Sequence, residues 1–322
     1  MEARMSNQRI IFMGTPAFAV ASLKALLAAG VEVAAVVTAP DKPAGRGRQM
    51  RMSAVKEAAM QHGLRVLQPE RLRDPAFLAE LDALAAALYV VVAFRMLPEA
   101  VWRKPAFGTI NLHASLLPAY RGAAPINWAI INGEARTGAT TFFIQETIDS
   151  GDILDTVEID IGGEESAGEL HDRLKQAGAE LLVRTVRRIL RGDRSSHPQQ
   201  ASVRELPLAP KLTPENCRID WQRPASRVHD HIRGLSPMPG AWSMLLRAVG
   251  VAERCKILEA RVEESHHDGA PAGTVRVNGD SLLVACEGGL IKVLELQPEG
   301  KKRMSAADFL RGAGDMRNAR FD

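Results

Sequence analysis

At 322 residues, with 46% hydrophobic and 25% charged side chains, the chain is long and apolar enough for two packed domains, which argues against wholesale disorder. A net charge of +3 is too mild to mark a nucleic-acid binder by composition. No window reaches the run of about 18 apolar residues that crosses a membrane; the longest stretch, 83–94, reads as a buried strand and its lead-in.

Residues 1–9 are short and polar, and the apolar run 10–13 is too brief for a signal peptide, so the expectation is a cytoplasmic protein. Cys217, Cys255 and Cys286 are widely separated, with no Cys-x-x-Cys pair and no histidine at ligand spacing. Neither structural zinc, a disulfide framework nor any other metal site is expected. His266 and His267 sit among acidic residues in a polar loop, which reads as a solvated loop before it reads as a metal site.

Along the chain, the apolar run 10–13 ends at Gly14, and 18–29 has helical length before a capping Gly30. The β-branched run 31–38 follows, then a helix over 54–62 capped by Gly63, a short strand at 65–67 and another at 89–94. Strand alternating with helix implies a parallel sheet covered by helices, an α/β fold. Residues 109–113 read as a further strand, and the polar and apolar alternation of 138–145 as another. Over 165–191, Leu170, Leu174, Ala177, Leu181, Leu182 and Val186 lie on one face of a long amphipathic helix. The first domain is expected to span 1–192. Residues 193–213, crowded with Ser, Pro and Gln, read as a linker, and 214–322 as a smaller domain. There, β-like runs at 275–277, 281–285 and 291–296, separated by Asn278-Gly279 and Gly288-Gly289, predict a small antiparallel barrel or sandwich.

The densest group of functional side chains is 111–122. Residues two apart on a strand share a face, so Asn111 and His113 emerge side by side at its C-terminal end, where parallel α/β sheets bind ligands. An amide and an imidazolium can both donate to the oxyanion formed when an amine attacks a carbonyl carbon. Asp149, in the loop 146–152, could orient His113 and help move a proton. Taken alone, though, such residues at a strand end are more often turn or core residues, and an Asp before Ser-Gly is usually a turn former. Gly14-Thr15-Pro16 lacks the Gly-x-Gly-x-x-Gly pattern, and no phosphate loop occurs, so no nicotinamide or ATP cofactor is supported. His229 and His231 receive no role.

The string NLHASLLPAYRGAAP over 111–125, followed by GATT at 138–141 and DSGDI at 149–153, closely resembles the signature of formyltransferases that use 10-formyltetrahydrofolate. Within that superfamily, the branch that formylates initiator methionyl-tRNA is matched nearly end to end. The matches include IFMGTP at 11–16, PDKPAGRG at 40–47, IDW at 219–221, SPMPGAW at 236–242 and LQPEGKKRM at 296–304. The resemblance implies a Rossmann-like first domain and an OB-like C-terminal barrel that binds tRNA. It also implies catalysis by Asn111, His113 and Asp149, and 10-formyltetrahydrofolate as cosubstrate without a metal. The folate site would include Ser115, Leu116, Leu117 and Pro118, with 93–98 and 144–147 lining the pterin pocket. Arg46 would sit in an inserted loop that meets the acceptor end of the tRNA, and the protein would act as a monomer off the membrane.

This chain departs from the usual family pattern in the string 81–89, at Phe94-Arg95 in place of a commoner Tyr-Gly, and at Met238 where an aromatic is frequent. The first two bear on the pterin pocket and not on the trio. The same trio would serve formyl transfer to a glycinamide nucleotide or an amino sugar, or hydrolysis of formyl-folate. Clustered arginines at 41–51 and the cationic run 301–303 favour a polyanionic acceptor. A noncatalytic RNA-binding protein with a vestigial domain is the rival from another class, and the intact trio speaks against it.

Overall fold

The structure, a computed structural model, describes residues 8–44, 49–200, 205–248, 252–263 and 269–322. The chain forms two compact units, the first from 1–122, 138–159 and 171–207, the second from 123–137, 160–170 and 208–322. Each unit draws on several stretches of the chain. Helix Pro125–Ile131 belongs with the second unit because it packs on helix Ala225–Leu235, and Ile131 is part of that unit's core.

The first unit is built on a seven-stranded sheet whose order, edge to edge, is Ile153–Asp160, Arg136–Phe143, Thr109–His113, Leu88–Val92, Ile10–Gly14, Val33–Val37 and Val66–Leu67. From Thr109–His113 to Val66–Leu67 every pairing is parallel, and Arg136–Phe143 joins antiparallel. Ile10–Gly14 and Leu88–Val92 are buried at every position. Continuous apolar runs of this kind mark central strands covered on both faces. One face packs Ile11, Met13, Val37, Tyr89 and Val91 against Phe77 and Leu81 of helix Pro75–Leu84. That helix escaped the sequence reading although its start is signalled: Asp74 caps the Ala76 N–H at 2.8 Å and Pro75 opens the first turn.

Strand Arg136–Phe143 differs from its expected half-exposed character, since residues 137–142 are all buried. Thr140 and Thr141 hide as polar side chains because their hydroxyls are bonded: Thr140 Oγ1 donates to Ser115 O at 2.7 Å, and Thr141 Oγ1 lies 2.9 Å from Thr185 Oγ1, which donates to Asp155 at 2.6 Å. The long helix is Ala167–Leu190, with Leu170, Leu174, Leu181, Leu182 and Val186 fully buried and Ala177 only partly so.

The second unit is an antiparallel sheet in the order Val275–Asn278, Ser281–Cys286, Gly289–Pro298, Glu253–Glu263, Ala241–Leu246 and Arg320–Phe321. The last strand returns to the first, Val275 N–H donating to Ala319 O at 3.0 Å and Phe321 N–H to Gly273 O at 2.8 Å, so the sheet closes into a barrel without a free edge there. Trp221, Ile257, Leu296, Phe309 and Phe321 fill it, together with Val228, Ile232 and Leu235 of helix Ala225–Leu235.

His231 on that helix is buried, and burial holds its imidazole below the ordinary histidine value of 6.5, with hydrogen bonding to the Cys217 carbonyl opposing the shift. A histidine kept neutral by the fold favours the native state above its unfolded pKa. That contribution is lost as pH falls through about 6.5 toward the folded value, because the unfolded chain takes up the proton first. Thermal unfolding at about pH 7.5 and about pH 5.5 should therefore show a larger loss in the wild type than in His231→Gln. Equal losses would contradict this assignment.

Candidate active site

Strand Thr109–His113 lies between two central strands, Asn111 pairing with Val91 and Phe142, and His113 with Thr140. Alternation puts Asn111 and His113 on one face. The Asn111 side chain is half-buried, and its amide has no hydrogen-bond partner among the described residues. His113 is 7% exposed, and its Nε2 lies 2.9 Å from the carbonyl oxygen of Tyr120. A carbonyl can only accept, so Nε2 carries the proton and donates. That leaves Nδ1 facing Asp149 Oδ2 at 3.7 Å, too far for a direct hydrogen bond but within ion-pair reach of a protonated ring.

Both groups that hold the imidazole come from left-handed backbone, Tyr120 with φ 59° and Asp149 with φ 51°. Tyr120 N–H donates to Pro207 O at 2.6 Å, and Asp149 Oδ2 accepts from Gly122 N–H at 3.1 Å. Gln199 adds a further brace, its side-chain NH₂ donating to Asp149 O at 2.8 Å and to Gly151 O at 2.9 Å. Gln199 lies in the stretch read as linker, and no periodicity or motif could have singled it out. The first unit also holds that stretch at His197, whose N–H donates to Ile153 O at 2.9 Å.

Among the expected folate residues, Ser115 is fully buried and its hydroxyl donates to Ala119 O at 2.7 Å. Leu117 is buried against Phe142 and Ile153. Leu116 and Pro118 are half-exposed, so these two side chains and the backbone are what this segment offers a ligand. The stretches 93–98 and 144–147 meet at one hydrophobic cluster, on which Phe94 and Ile144 both pack. Arg95 turns its guanidinium to the backbone carbonyls of Pro69 and Glu70, which bonds the strand's exit to a neighbouring segment.

Arg46 lies outside the described residues, as do His266 and His267. The hairpin flanking Arg46, Lys42–Ala44 with Gln49–Arg51, is anchored at its base by Asp41, which accepts from Lys56 Nζ at 2.6 Å and Gln68 Nε2 at 2.8 Å. The hydrogen bond from Lys56 is the main reason the Asp41 carboxyl is held below its usual range. In the cationic run, Arg303 is engaged by Glu295 and Glu259.

A different basic group is assembled on the barrel. Trp242, Met244 and Leu246 are the outer residues of their strand. Arg254 stacks on Trp242 at 4.0 Å and Arg218 lies 5.8 Å from the same ring, while the register puts Lys256 beside Trp242 and Arg320 beside Leu246. His229, also buried, sits 3.4 Å from Glu164. Among the described residues no group of His, Cys, Asp and Glu could hold a metal ion, and no helix is long and apolar enough to cross a membrane.

An oxyanion-type pair at the end of a parallel strand, with a carboxylate beside the imidazole, suits acyl-group transfer. The relationships of the chain agree in class: residues 8–186 match the formyl transferase family and 211–314 the formyl transferase C-terminal domain, and the chain belongs to this family. It is 49% identical over 311 residues to the methionyl-tRNA formyltransferase of Bacteroides fragilis, covering 96% of each chain. With that of Phocaeicola vulgatus it shares 50% identity over 309 residues, covering 94% of this chain and 95% of the other. The fold is similar to HypX from Aquifex aeolicus in complex with tetrahydrofolic acid, with a TM-score of 0.64 at 19% identity. That match covers 94% of this chain and 46% of the longer HypX chain. The expected family and the expected α/β domain with its barrel are thus met.

Thr140 supports the signature loop from the neighbouring strand, accepting from Leu117 N–H at 3.2 Å and donating to Ser115 O at 2.7 Å. Thr140→Val keeps the volume but strips both buried backbone groups of a partner, and should cost about 1–3 kcal/mol in urea unfolding. An unchanged midpoint would mean that water replaces the hydroxyl.

Proposed function

We propose that the protein transfers the formyl group of 10-formyltetrahydrofolate to the α-amine of methionine on initiator methionyl-tRNA, as its relatives' names indicate for them. The observation that carries the chemistry is the unpartnered amide of Asn111 beside an imidazole whose Nε2 is committed to Tyr120 O, leaving Nδ1 toward Asp149.

The amine attacks the formyl carbon, and the carbonyl electrons move to oxygen. The Asn111 amide and protonated His113 donate to that oxyanion as it forms. A proton passes from the attacking nitrogen to N10 of the folate, the N10–carbon bond breaks, and the products are formyl-methionyl-tRNA and tetrahydrofolate. Asp149, whose Oδ2 lies 3.7 Å from Nδ1, organises the proton's path beside the ring. Holding both substrates together removes much of the entropic barrier, and no covalent enzyme intermediate is needed.

The segment 115–118 and the stretches 93–98 and 144–147 receive the folate, and Arg46 meets the acceptor end of the tRNA. The second unit holds the body of the tRNA, with the outer face that carries Trp242, Arg218, Arg254, Lys256 and Arg320 as its phosphate-binding surface. This face adds to the run 301–303, in which Arg303 is paired with Glu295. The protein works in the cytoplasm as a monomer, where charged tRNA and reduced folates meet.

Incubation with 10-formyltetrahydrofolate and methionyl-tRNA should yield N-formylmethionine, and formylation of a glycinamide nucleotide or amino sugar instead would overturn the acceptor assignment. Asn111→Ala and His113→Ala should each lose about a hundredfold to a thousandfold in single-turnover rate while remaining folded. Near-normal transfer by either would refute its role. Arg46→Ala should raise KM for the tRNA more than for the folate, and parallel losses would point to a folding defect.

A further inference from the structure

We propose that Gln199 is a positioning residue for this reaction, holding the carboxylate of Asp149 in register with Nδ1 of His113. The inference rests on the formyl-transfer reading, because its effect is exerted through Asp149. Asp149 occupies the left-handed region at φ 51°, which aspartate enters more readily than most side-chain-bearing residues, and its loop needs a hold to fix where the carboxylate points. Gln199 supplies that hold from both sides, one amide grasping the carbonyls of Asp149 and Gly151.

Its own oxygen accepts from Arg121, at 3.1 Å from Nε and 2.5 Å from the terminal nitrogen. Two N–H donors and the acceptor oxygen are thus all used, which a carboxylate, an ammonium or an aliphatic side chain cannot reproduce. The circuit then closes on itself, because Gly122, next to Arg121, donates its N–H to the Asp149 carboxylate. Segment 197–199 can bear the load since His197 exchanges backbone hydrogen bonds with Ile153 at 2.8 and 2.9 Å. The loop has little freedom on its other side, where a Cβ on Gly151 would fall 1.7 Å from Phe143 O. Gln199 thereby couples the signature segment to the loop that carries the third member of the trio.

The test is single-turnover formyl transfer by Gln199→Ala, Gln199→Glu, Asp149→Asn and the double variant Gln199→Ala with Asp149→Asn, with KM for each substrate and the thermal midpoint read alongside. Gln199→Ala should lower kcat roughly tenfold to a hundredfold, as misplacement of a catalytic group does, with both KM values unchanged. Gln199→Glu should lose at least as much, since its oxygens would face two carbonyls. In the Asp149→Asn background, Gln199→Ala should add no further loss, because the group it positions is gone. A multiplicative loss in that background, whatever the thermal midpoint, would mark a general structural role and overturn the proposal, as would full activity of Gln199→Ala. A wild-type protein that forms no N-formylmethionine would bring down the formyl-transfer reading and this inference with it, an outcome distinct from an active wild type with an indifferent Gln199.

Discussion

The hydrogen bond from His113 Nε2 to the carbonyl of Tyr120 decides which nitrogen of the imidazole is available for chemistry. A ring tied at Nε2 presents Nδ1, and Asp149 stands on that side at 3.7 Å. The bond depends on Tyr120 keeping a left-handed backbone, and Tyr120 in turn is bonded at its N–H to Pro207. Asp149 is held by the same logic, its left-handed backbone tied by Gln199 and its carboxylate by the N–H of Gly122. The strand supplies side chains on one face, and the surrounding loops aim them.

This division of labour follows from the sheet. The strand bearing Asn111 and His113 is flanked on both sides, so its position is set by backbone pairing to both neighbours. The neighbouring strand adds Thr140, whose hydroxyl bonds two backbone groups of the loop after the strand. The precision of the proposed oxyanion site thus comes from rigid elements, and only the carboxylate is brought in from a loop. On the barrel, the cationic side chains with Trp242 share an outer face because strand alternation sends Ala241, Ser243 and Leu245 inward.

The parts of the fold legible in the sequence were those written in local pattern. Ile10–Gly14 and Leu88–Val92 are runs of apolar residues, Gly30 and Gly63 stop helices with positive φ, and Gly279 and Gly288 turn the barrel's hairpins. Helix Ala225–Leu235 was overlooked although Val228, Ile232 and Leu235 have helical spacing, because His229 and His231 disguise its buried side as polar. Strand Arg136–Phe143 looked half-exposed because Thr140 and Thr141 satisfy their hydroxyls in buried bonds that no pattern of hydropathy encodes.

The candidate site was legible only in part, and for a physical reason. Asn111 and His113 share a strand, so their adjacency is local, and the signature around them pointed to Asp149. Gln199 meets the Asp149 loop across 50 residues of chain, and Tyr120 acts through a carbonyl that every residue possesses. Such contacts leave no trace in residue type. The proposed chemistry turns on the orientation of one ring, and nitrogen-15 NMR of the neutral His113 side chain tests it directly. The structure predicts the tautomer with the proton on Nε2 and a bare Nδ1; a proton resting on Nδ1 with Nε2 bare would contradict it.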